Sequence, residues 1–368
     1  MTSHPPARKP EGTLRRGWTT GACAAAAAAA AFRSLITGKA RTSSRIRLPK
    51  GEEPEFPLSR SEKTEDGWRC GVIKDAGDDP DVTHGCEVIC TVRPGTLEAG
   101  ITFRAGDGVG TVTLPGLPVP VGEPAINPGP RGIIADALSG IAEELDVPAD
   151  VEITISIPGG QLLAEKTMNP RLGIRGGLSI LGTTGIVIPF SCASWINSIH
   201  RGVDVARLQG IRHLIAATGS TSEAAAMRDY PDLPEQAFID MGDFAGGLLK
   251  YLRRHPAPKL TVVGGVAKLA KLAQGHLDLH SSRSALDMRK LAETAAELGA
   301  DPVLINAITG ANTALQAWQL CADADIPLCD AIARGARETV MASLAGETDI
   351  DIIVYDRAGQ QVGSSHGR

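Results

Sequence analysis

Aromatic residues are scarce in this chain of 368 residues; phenylalanine, tryptophan and tyrosine together make up 4%. That argues against a stacking platform for bases. A basic excess is missing too, because 37 lysines and arginines face 42 aspartates and glutamates, leaving a net charge of -5. A nucleic-acid partner is therefore not expected, and any anionic ligand must be held by a local cluster of cations, not a global field. The seven cysteines contain no C-x-x-C pair; Cys86 and Cys90 lie four apart, Cys321 and Cys329 eight apart. This spacing argues against structural zinc and leaves reduced thiols in the cytoplasm as the simplest reading. No run of about 18 apolar residues is present, so no membrane span is expected. The dinucleotide fingerprint G-x-G-x-x-G is absent as well, which counts against a nicotinamide oxidoreductase.

Glycine (42 residues) and alanine are plentiful instead, favouring closely packed helices, tight turns and backbone-lined sites. The length exceeds what one hydrophobic core usually serves, so two domains are expected. Residues 1–12 are polar and proline-rich and read as a disordered tail. Arg15-Arg16 followed by the alanine run Ala24–Ala31 resembles a twin-arginine export signal. Alanine alone makes a weak signal core and is the best helix former, so a buried helix over 20–35, ending near Gly38, is the better reading. Extended pieces follow at 44–48, 68–74, 87–93 and 100–105, then an amphipathic helix over 130–145 and an alternating strand, V-E-I-T-I-S-I, over 151–157. This irregular mixture over 13–200 reads as an α+β domain.

After residue 200 the pattern changes. Apolar runs at 212–217, 237–241, 260–263, 303–308 and 350–355 read as strands separated by helices, the clearest helix spanning 284–299. Ser220 and Glu223 fit a capping box. Strand–helix alternation over 201–368 argues for a parallel, Rossmann-like three-layer domain.

Three motifs carry chemistry. Arg16-Gly-Trp-Thr-Thr-Gly-Ala-Cys-Ala (16–24) puts hydroxyls and a glycine at a helix start, where backbone N–H groups can meet an anion. Lys74-Asp-Ala-Gly-Asp-Asp-Pro-Asp-Val-Thr-His-Gly (74–85) gathers Asp75, Asp78, Asp79 and Asp81 ahead of His84. Such density suits a hard cation or the sulfonium of a methyl donor, or is simply a surface turn. Gly275-His-Leu-Asp-Leu-His-Ser-Ser-Arg-Ser (275–284) spaces His276, Asp278 and His280 so that an extended segment would turn all three to one side. A transition metal or a substrate carboxylate would each suit that face.

These three segments, in this order, resemble the cobalt-precorrin-5B (C1)-methyltransferase family, the CbiD type of the anaerobic cobalamin pathway. Similar too are Gly108-Val-Gly-Thr-Val-Thr-Leu-Pro-Gly-Leu (108–117), Val121-Gly-Glu-Pro-Ala-Ile-Asn-Pro-Gly-Pro-Arg (121–131) and Asn169-Pro-Arg-Leu-Gly-Ile-Arg-Gly-Gly-Leu-Ser-Ile-Leu-Gly-Thr-Thr-Gly (169–185). The resemblance implies methyl transfer from S-adenosylmethionine to C-1 of cobalt-precorrin-5B, giving cobalt-precorrin-6A, in the cytoplasm. It implies an N-terminal α+β domain of the ribosomal protein S5 domain 2-like kind and a Rossmann-like C-terminal domain. No protein-bound metal and no membrane partner are expected, and the sequence leaves room for a homo-oligomer.

The ring precursor carries acetate and propionate side chains, so Arg131, Arg171, Arg175, Lys268, Lys271, His276, His280 and Arg283, with Thr19 and Thr20 at the first helix start, are the expected substrate-binding residues. Rossmann-type sites use the loop after the first strand and an acidic residue about 20 positions on. Thr218, Gly219, Ser220 and Asp240 have that relation and are the expected donor-binding residues, with Asp78 as a rival position. Asp75 or His84 is the expected proton acceptor. Two other functions remain open: a metal-dependent hydrolase on His276, Asp278 and His280, and a non-catalytic tetrapyrrole carrier.

Overall fold

The alanine run becomes the middle of helix α1 (Thr20–Thr37) in a computed structural model that describes residues 12–344, 346 and 348–367. Apart from Gly12, the tail expected over 1–12 lies outside those residues. Thr19 caps α1 by accepting the Ala22 N–H at 3.1 Å, and Gly38 ends it in the left-handed region at φ 68°. Every alanine of the run is at most 2% exposed. Small side chains let the helix backbone lie so near the sheet that the Cys90 thiol reaches the Ala24 carbonyl at 3.2 Å. Among the described helices α1 alone is long and apolar enough to cross a membrane, yet 78% of it is buried within the protein.

Strands β1 (Ser43–Arg45) and β2 (Glu55–Pro57) form an antiparallel pair. A five-stranded sheet is built from β3 (Arg60–Lys63), β4 (Trp68–Ile73), β5 (Glu87–Pro94), β6 (Ile101–Ala105) and β7 (Val151–Ser156), in the spatial order β3-β4-β5-β7-β6. Only β6 and β7 run parallel. The alternating 151–157 pattern buries Val151, Ile153 and Ile155 on one face, as its period demands. Helix α1 lies on β4 and β5, and α2 (Pro128–Leu145) packs along α1. Helix α2 begins two residues earlier than expected because Pro128 itself takes a first-turn position.

The chain divides into two compact units between Cys192 and Ala193. A boundary at residue 200 would cut α3 (Cys192–Leu208), whose Ile199, Val203 and Ala206 belong to the core of the second unit. That unit is built on β8 (His213–Ala217), β9 (Phe238–Asp240), β10 (Lys259–Gly265), β11 (Asp349–Tyr355) and β12 (Gln361–Ser364). Their order is β9-β8-β10-β11-β12, all parallel except β12. Alternate residues face two cores: Leu214 and Ala216 enter the larger, Ile215 and Ala217 the smaller. Helix α4 (Ser220–Asp229) covers the smaller face through Ala225 and Ala226. On the larger face lie α3, α5 (Ala245–Leu252), α6 (Val266–Ala273), α7 (Met288–Glu297), α8 (Pro302–Thr309), α9 (Ala314–Asp323) and α10 (Leu328–Ser343).

Three local expectations are corrected. The apolar run 303–308 is helix α8 and not a strand: Asp301 caps it by accepting the Leu304 N–H, Pro302 occupies its first turn, and Val303 is 78% exposed. Helix α7 starts at Met288, where Asp287 caps it, and not at 284. The capping box at Ser220 does not form; Gly219 is the N-cap and no side chain caps the helix.

Candidate functional site

The acidic 74–85 segment folds as a clasp over the chain entering α1. Arg15 meets Asp75 through two hydrogen bonds, at 2.5 and 2.8 Å. The Arg15 and Asp78 residues also exchange bonds: the Arg15 N–H donates to Asp78 Oδ2 at 2.6 Å, and the Asp78 N–H to the Arg15 carbonyl at 3.0 Å. Gly77 adopts φ +67°, and a Cβ there would stand 2.2 Å from the Arg15 carbonyl oxygen, so the close approach requires glycine. Asp79 accepts the Phe190 N–H at 2.8 Å. Asp81 pairs with the buried ammonium of Lys74, which also donates to Thr83 at 2.5 Å. Asp75 and Asp78 thus share Arg15, through its guanidinium and its backbone N–H, while Asp79 and Asp81 are held by Phe190 and Lys74, so the four carboxylates do not converge. Among the described residues no group of three or more His, Cys, Asp or Glu side chains is arranged to hold a metal ion.

The electrostatics follow from these partners. Arg15 above all, then the Gly77 N–H, holds the Asp75 carboxyl down at about 2. Burial lifts Asp79 above the usual carboxylate range. Burial works on Asp81 the same way, but the Lys74 ammonium and Thr83 outweigh it and hold that group below the range. His84 is about half exposed, and its Nδ1 accepts the Ala76 N–H at 3.1 Å. In the neutral ring the proton therefore sits on Nε2.

The start of α1 is closed by its own chain. Gly21 donates to the Leu181 carbonyl at 3.1 Å, Thr19 to that of Gly185 at 3.0 Å, and Thr19 and Thr20 are 6% and 3% exposed. The N–H groups of Thr19, Gly21 and Ala22 are thus occupied within the chain, and Thr19 and Thr20 are both buried. Arg131 is similarly engaged: it bonds the Ile126 carbonyl at 2.9 Å and Glu123 at 3.2 Å, and lies over the Phe103 ring. Arg171 is half-buried, whereas Arg175 is exposed at the end of a short pairing with residues 111–112.

The second unit does bring expected residues together. Ala217 and Asp240 are register partners, so Thr218, Gly219, Ser220 and Asp240 meet at the carboxyl edge of the parallel strands. Strand order reverses between β8 and β10, and such a switch point opens a crevice. Two helix N-termini, of α4 and α6, start there on Gly219 and Gly265, neither with a side-chain cap. A Cβ on Gly264 would stand 2.6 Å from Thr218 Oγ1, whereas the space beside Gly219 holds only the Lys268 ammonium, 3.9 Å away. Lys268 bonds the Thr218 carbonyl and lies 3.2 Å from Asp243.

The 275–284 segment docks at the same edge. Buried Leu279 donates to the Asp243 carbonyl at 2.9 Å, Gly246 donates to that of Leu277 at 2.8 Å, and the buried Lys271 ammonium holds the Leu279 carbonyl at 3.0 Å. Asp278 pairs with Arg283 at 2.9 Å and accepts the His280 N–H at 3.1 Å, and His280 Nδ1 lies 2.7 Å from Ser282 Oγ. The segment is a loop and not a strand, which removes the alternation that would have aligned them.

No motif of the sequence points to one further feature. A groove of about 880 Å³ opens in the first unit between α1, α2 and residues 41–51. Arg33, Arg41, Arg45, Arg47 and Lys50 line it, against the single carboxylate of Asp136. Arg33 is bound by Glu144 and Arg45 by Glu55, the latter at 3.3 Å. Arg41, Arg47 and Lys50 are exposed and form no ion pair among the described residues.

A profile of the CbiD family matches residues 7–189, and a profile of the CbiD C-terminal domain matches residues 278–366. A protein of Halorhodospira halophila named cobalt-precorrin-5B C(1)-methyltransferase is 53% identical over 98% of this chain and 97% of its own length. Proteins of the same name from Brucella anthropi (56% identical, 94% of each chain) and Paramagnetospirillum magneticum (54%, 97% and 99%) agree. This chain belongs to the CbiD family. A crystal structure of cobalamin biosynthesis protein CbiD from Archaeoglobus fulgidus is 29% identical and covers 74% of this chain and 84% of that one, with a TM-score of 0.41.

Within this CbiD-family chain, the sequence did hold a signal for the groove. Arg45-Ile46-Arg47-Leu48 alternates, burying Ile46 and Leu48 to 3% and 2% exposure and turning both arginines outward. Cations on the exposed side of a short strand look like ordinary surface until α2, from far along the chain, supplies the opposite wall.

Proposed function

We infer that this chain methylates C-1 of cobalt-precorrin-5B, giving cobalt-precorrin-6A in cobalamin biosynthesis, with S-adenosylmethionine as the donor. The observation that carries the reading is 53–56% identity, over nearly the whole chain, to relatives of that name. The ring carbon attacks the sulfonium methyl; the carbon–sulfur bond breaks and its electron pair stays on sulfur as a neutral thioether. The donor is already activated, so the protein has mainly to align the reactants, which can lower a barrier by about 7–11 kcal/mol.

The second unit is taken as the Rossmann-like α/β/α domain and the first as the ribosomal protein S5 domain 2-like α+β domain. Helices on both faces of a mostly parallel sheet support the former, and a mixed sheet under two helices the latter. Donor binding is assigned to the crevice after β8. The donor's carboxylate suits the glycine-capped starts of α4 and α6, and Asp240 suits the ribose hydroxyls. Asp78, already accepting from Arg15, is the weaker position. An Asp240→Ala variant is expected to raise the donor's dissociation constant about tenfold or more, on the order of 1.4 kcal/mol, and Asp78→Ala to leave it unchanged. The reverse pattern would move the donor to the acidic clasp.

Arg171, Arg175, Lys268, His276, His280 and Arg283 are retained for the ring carboxylates, while Lys271, turned inward onto the Leu279 carbonyl, anchors the loop that carries three of them; weaker precursor binding by Arg175→Ala and His276→Ala is the check. Of the two candidates for proton acceptor, His84 is the better placed, because a carboxylate held at about 2, as Asp75 is, is too weak a base to take up a proton at neutral pH. A cytoplasmic location suits seven free thiols.

The deciding experiment is anaerobic incubation with cobalt-precorrin-5B and methyl-labelled S-adenosylmethionine, read by mass spectrometry. Label at C-1, undiminished by a chelator, is the expected outcome. Precursor bound without label would favour a carrier, and loss of activity on chelation a metal-dependent enzyme.

A further inference from the structure

We propose that the basic groove between α1, α2 and residues 41–51 binds the carboxylate-bearing rim of the ring substrate, with its small-residue floor beneath the ring's apolar face. The inference rests on the methyltransferase reading above.

Charge is the first support. Five cations against one carboxylate line this groove in a protein whose net charge is -5. Three of those cations, Arg41, Arg47 and Lys50, have no ion-pair partner among the described residues, so only the more distant Glu144, which acts on Arg41, and the lining Asp136 offset their charge. Guanidinium groups match carboxylates in fork geometry, and Arg45 and Arg47, two apart on an extended segment, project to the same side. A polycarboxylate meets both needs together.

Shape is the second and independent support. Ala137 and Gly140 bring small residues to the groove wall, over the nearly buried Ala29 and Ala30. Gly140 is exposed within α2, and no atom lies within 4 Å of where its Cβ would be. Glycine is the poorest helix former after proline, and nothing in the protein packs against this one to require it. A ligand that approaches the helix backbone closely supplies the missing reason. The volume of about 880 Å³ falls within the usual range for small-molecule sites, roughly 300–1,000 Å³.

The test compares the full-length wild type with R41Q/R47Q/K50Q and, separately, with G140L. Each is titrated with a cobalt corrin bearing free side-chain carboxylates, with its fully esterified counterpart, and with S-adenosylmethionine. The triple variant is expected to bind the acid corrin on the order of 100-fold more weakly, with a shallower salt dependence, and the donor as before. The ester is expected to bind wild type no better than the acid binds the triple variant. G140L replaces glycine by a better helix former and should weaken corrin binding without lowering the melting temperature. Unchanged acid-corrin affinity in both variants, or an ester that binds as tightly as the acid, overturns the proposal. If wild type methylates cobalt-precorrin-5B and the variants keep its KM, the groove assignment fails while the function stands. If wild type transfers no methyl group to the ring, the function reading fails and the groove assignment falls with it.

Discussion

Thr19-Thr20-Gly21-Ala22 opens α1 in the first unit, and Thr218-Gly219-Ser220-Thr221 opens α4 in the second. Both place hydroxyls and glycine where a helix exposes its first N–H groups, the pattern that suggests an anion site. In α1 most of those donors are engaged: Thr19 caps Ala22, Gly21 bonds Leu181, and residues 181–185 lie across the helix start. In α4 the cap is a bare glycine, and Ser220 and Thr221 are exposed. The pattern therefore marks a helix start, and the chain in front of it decides whether the start is structural or available to a ligand.

Substitutions can break this contrast, and the largest effect belongs to the closed end. Gly182 has φ +120°, and a Cβ there would lie 2.3 Å from that of Thr19. Gly182→Ala should cost about 3 kcal/mol or more of folding stability, read from the denaturant midpoint. Its counterpart Gly219→Ala meets open space, so stability should stay within about 0.5 kcal/mol. The donor's dissociation constant should instead rise about tenfold, equivalent to about 1.4 kcal/mol, by calorimetric titration. A smaller change is expected from Thr19→Ala, which removes a cap and about 1 kcal/mol of stability while leaving donor affinity alone. A change in donor affinity there would contradict the closed reading of α1.

The clasp beside α1 gives the smallest and most pH-specific effect. Arg15 holds Asp75 at about 2, below the roughly 3.9 of an unfolded aspartate. A depressed folded value adds stability that is fully present above about pH 4 and lost as pH falls towards 2. Asp75 is partly exposed and solvent screens the pair, so the gain is modest. The stability difference between wild type and Asp75→Asn should be largest near neutrality and vanish near pH 2. A difference that persists there would assign the role of Asp75 to its shape and not its charge.

Much of the fold was legible because local rules and packing agree. The alanine run with Gly38 behind it, and the alternation from Val151 to Ile155, each point to one structure. The strand expected at 303–308 failed because Asp301-Pro302 is a helix-start signature, and it outweighed three consecutive apolar residues. Site geometry was less legible, since it depends on contacts between distant segments. Lys271 fastens the 275–284 loop through Leu279, and no spacing rule sees that inward anchor. Arg41, Arg45 and Arg47 gain a shared purpose only when α2 faces them.

The alanine helix also bears on how the protein is made. It leaves the ribosome before the strands that will bury it, and β5 is complete only at Pro94. At roughly 5–20 residues per second, an apolar segment behind two arginines travels unsheltered for on the order of ten seconds. Its low side-chain bulk, which serves close packing in the finished domain, also keeps small the apolar area it shows to water during that interval. A bulkier helix would be harder to pack and would expose more.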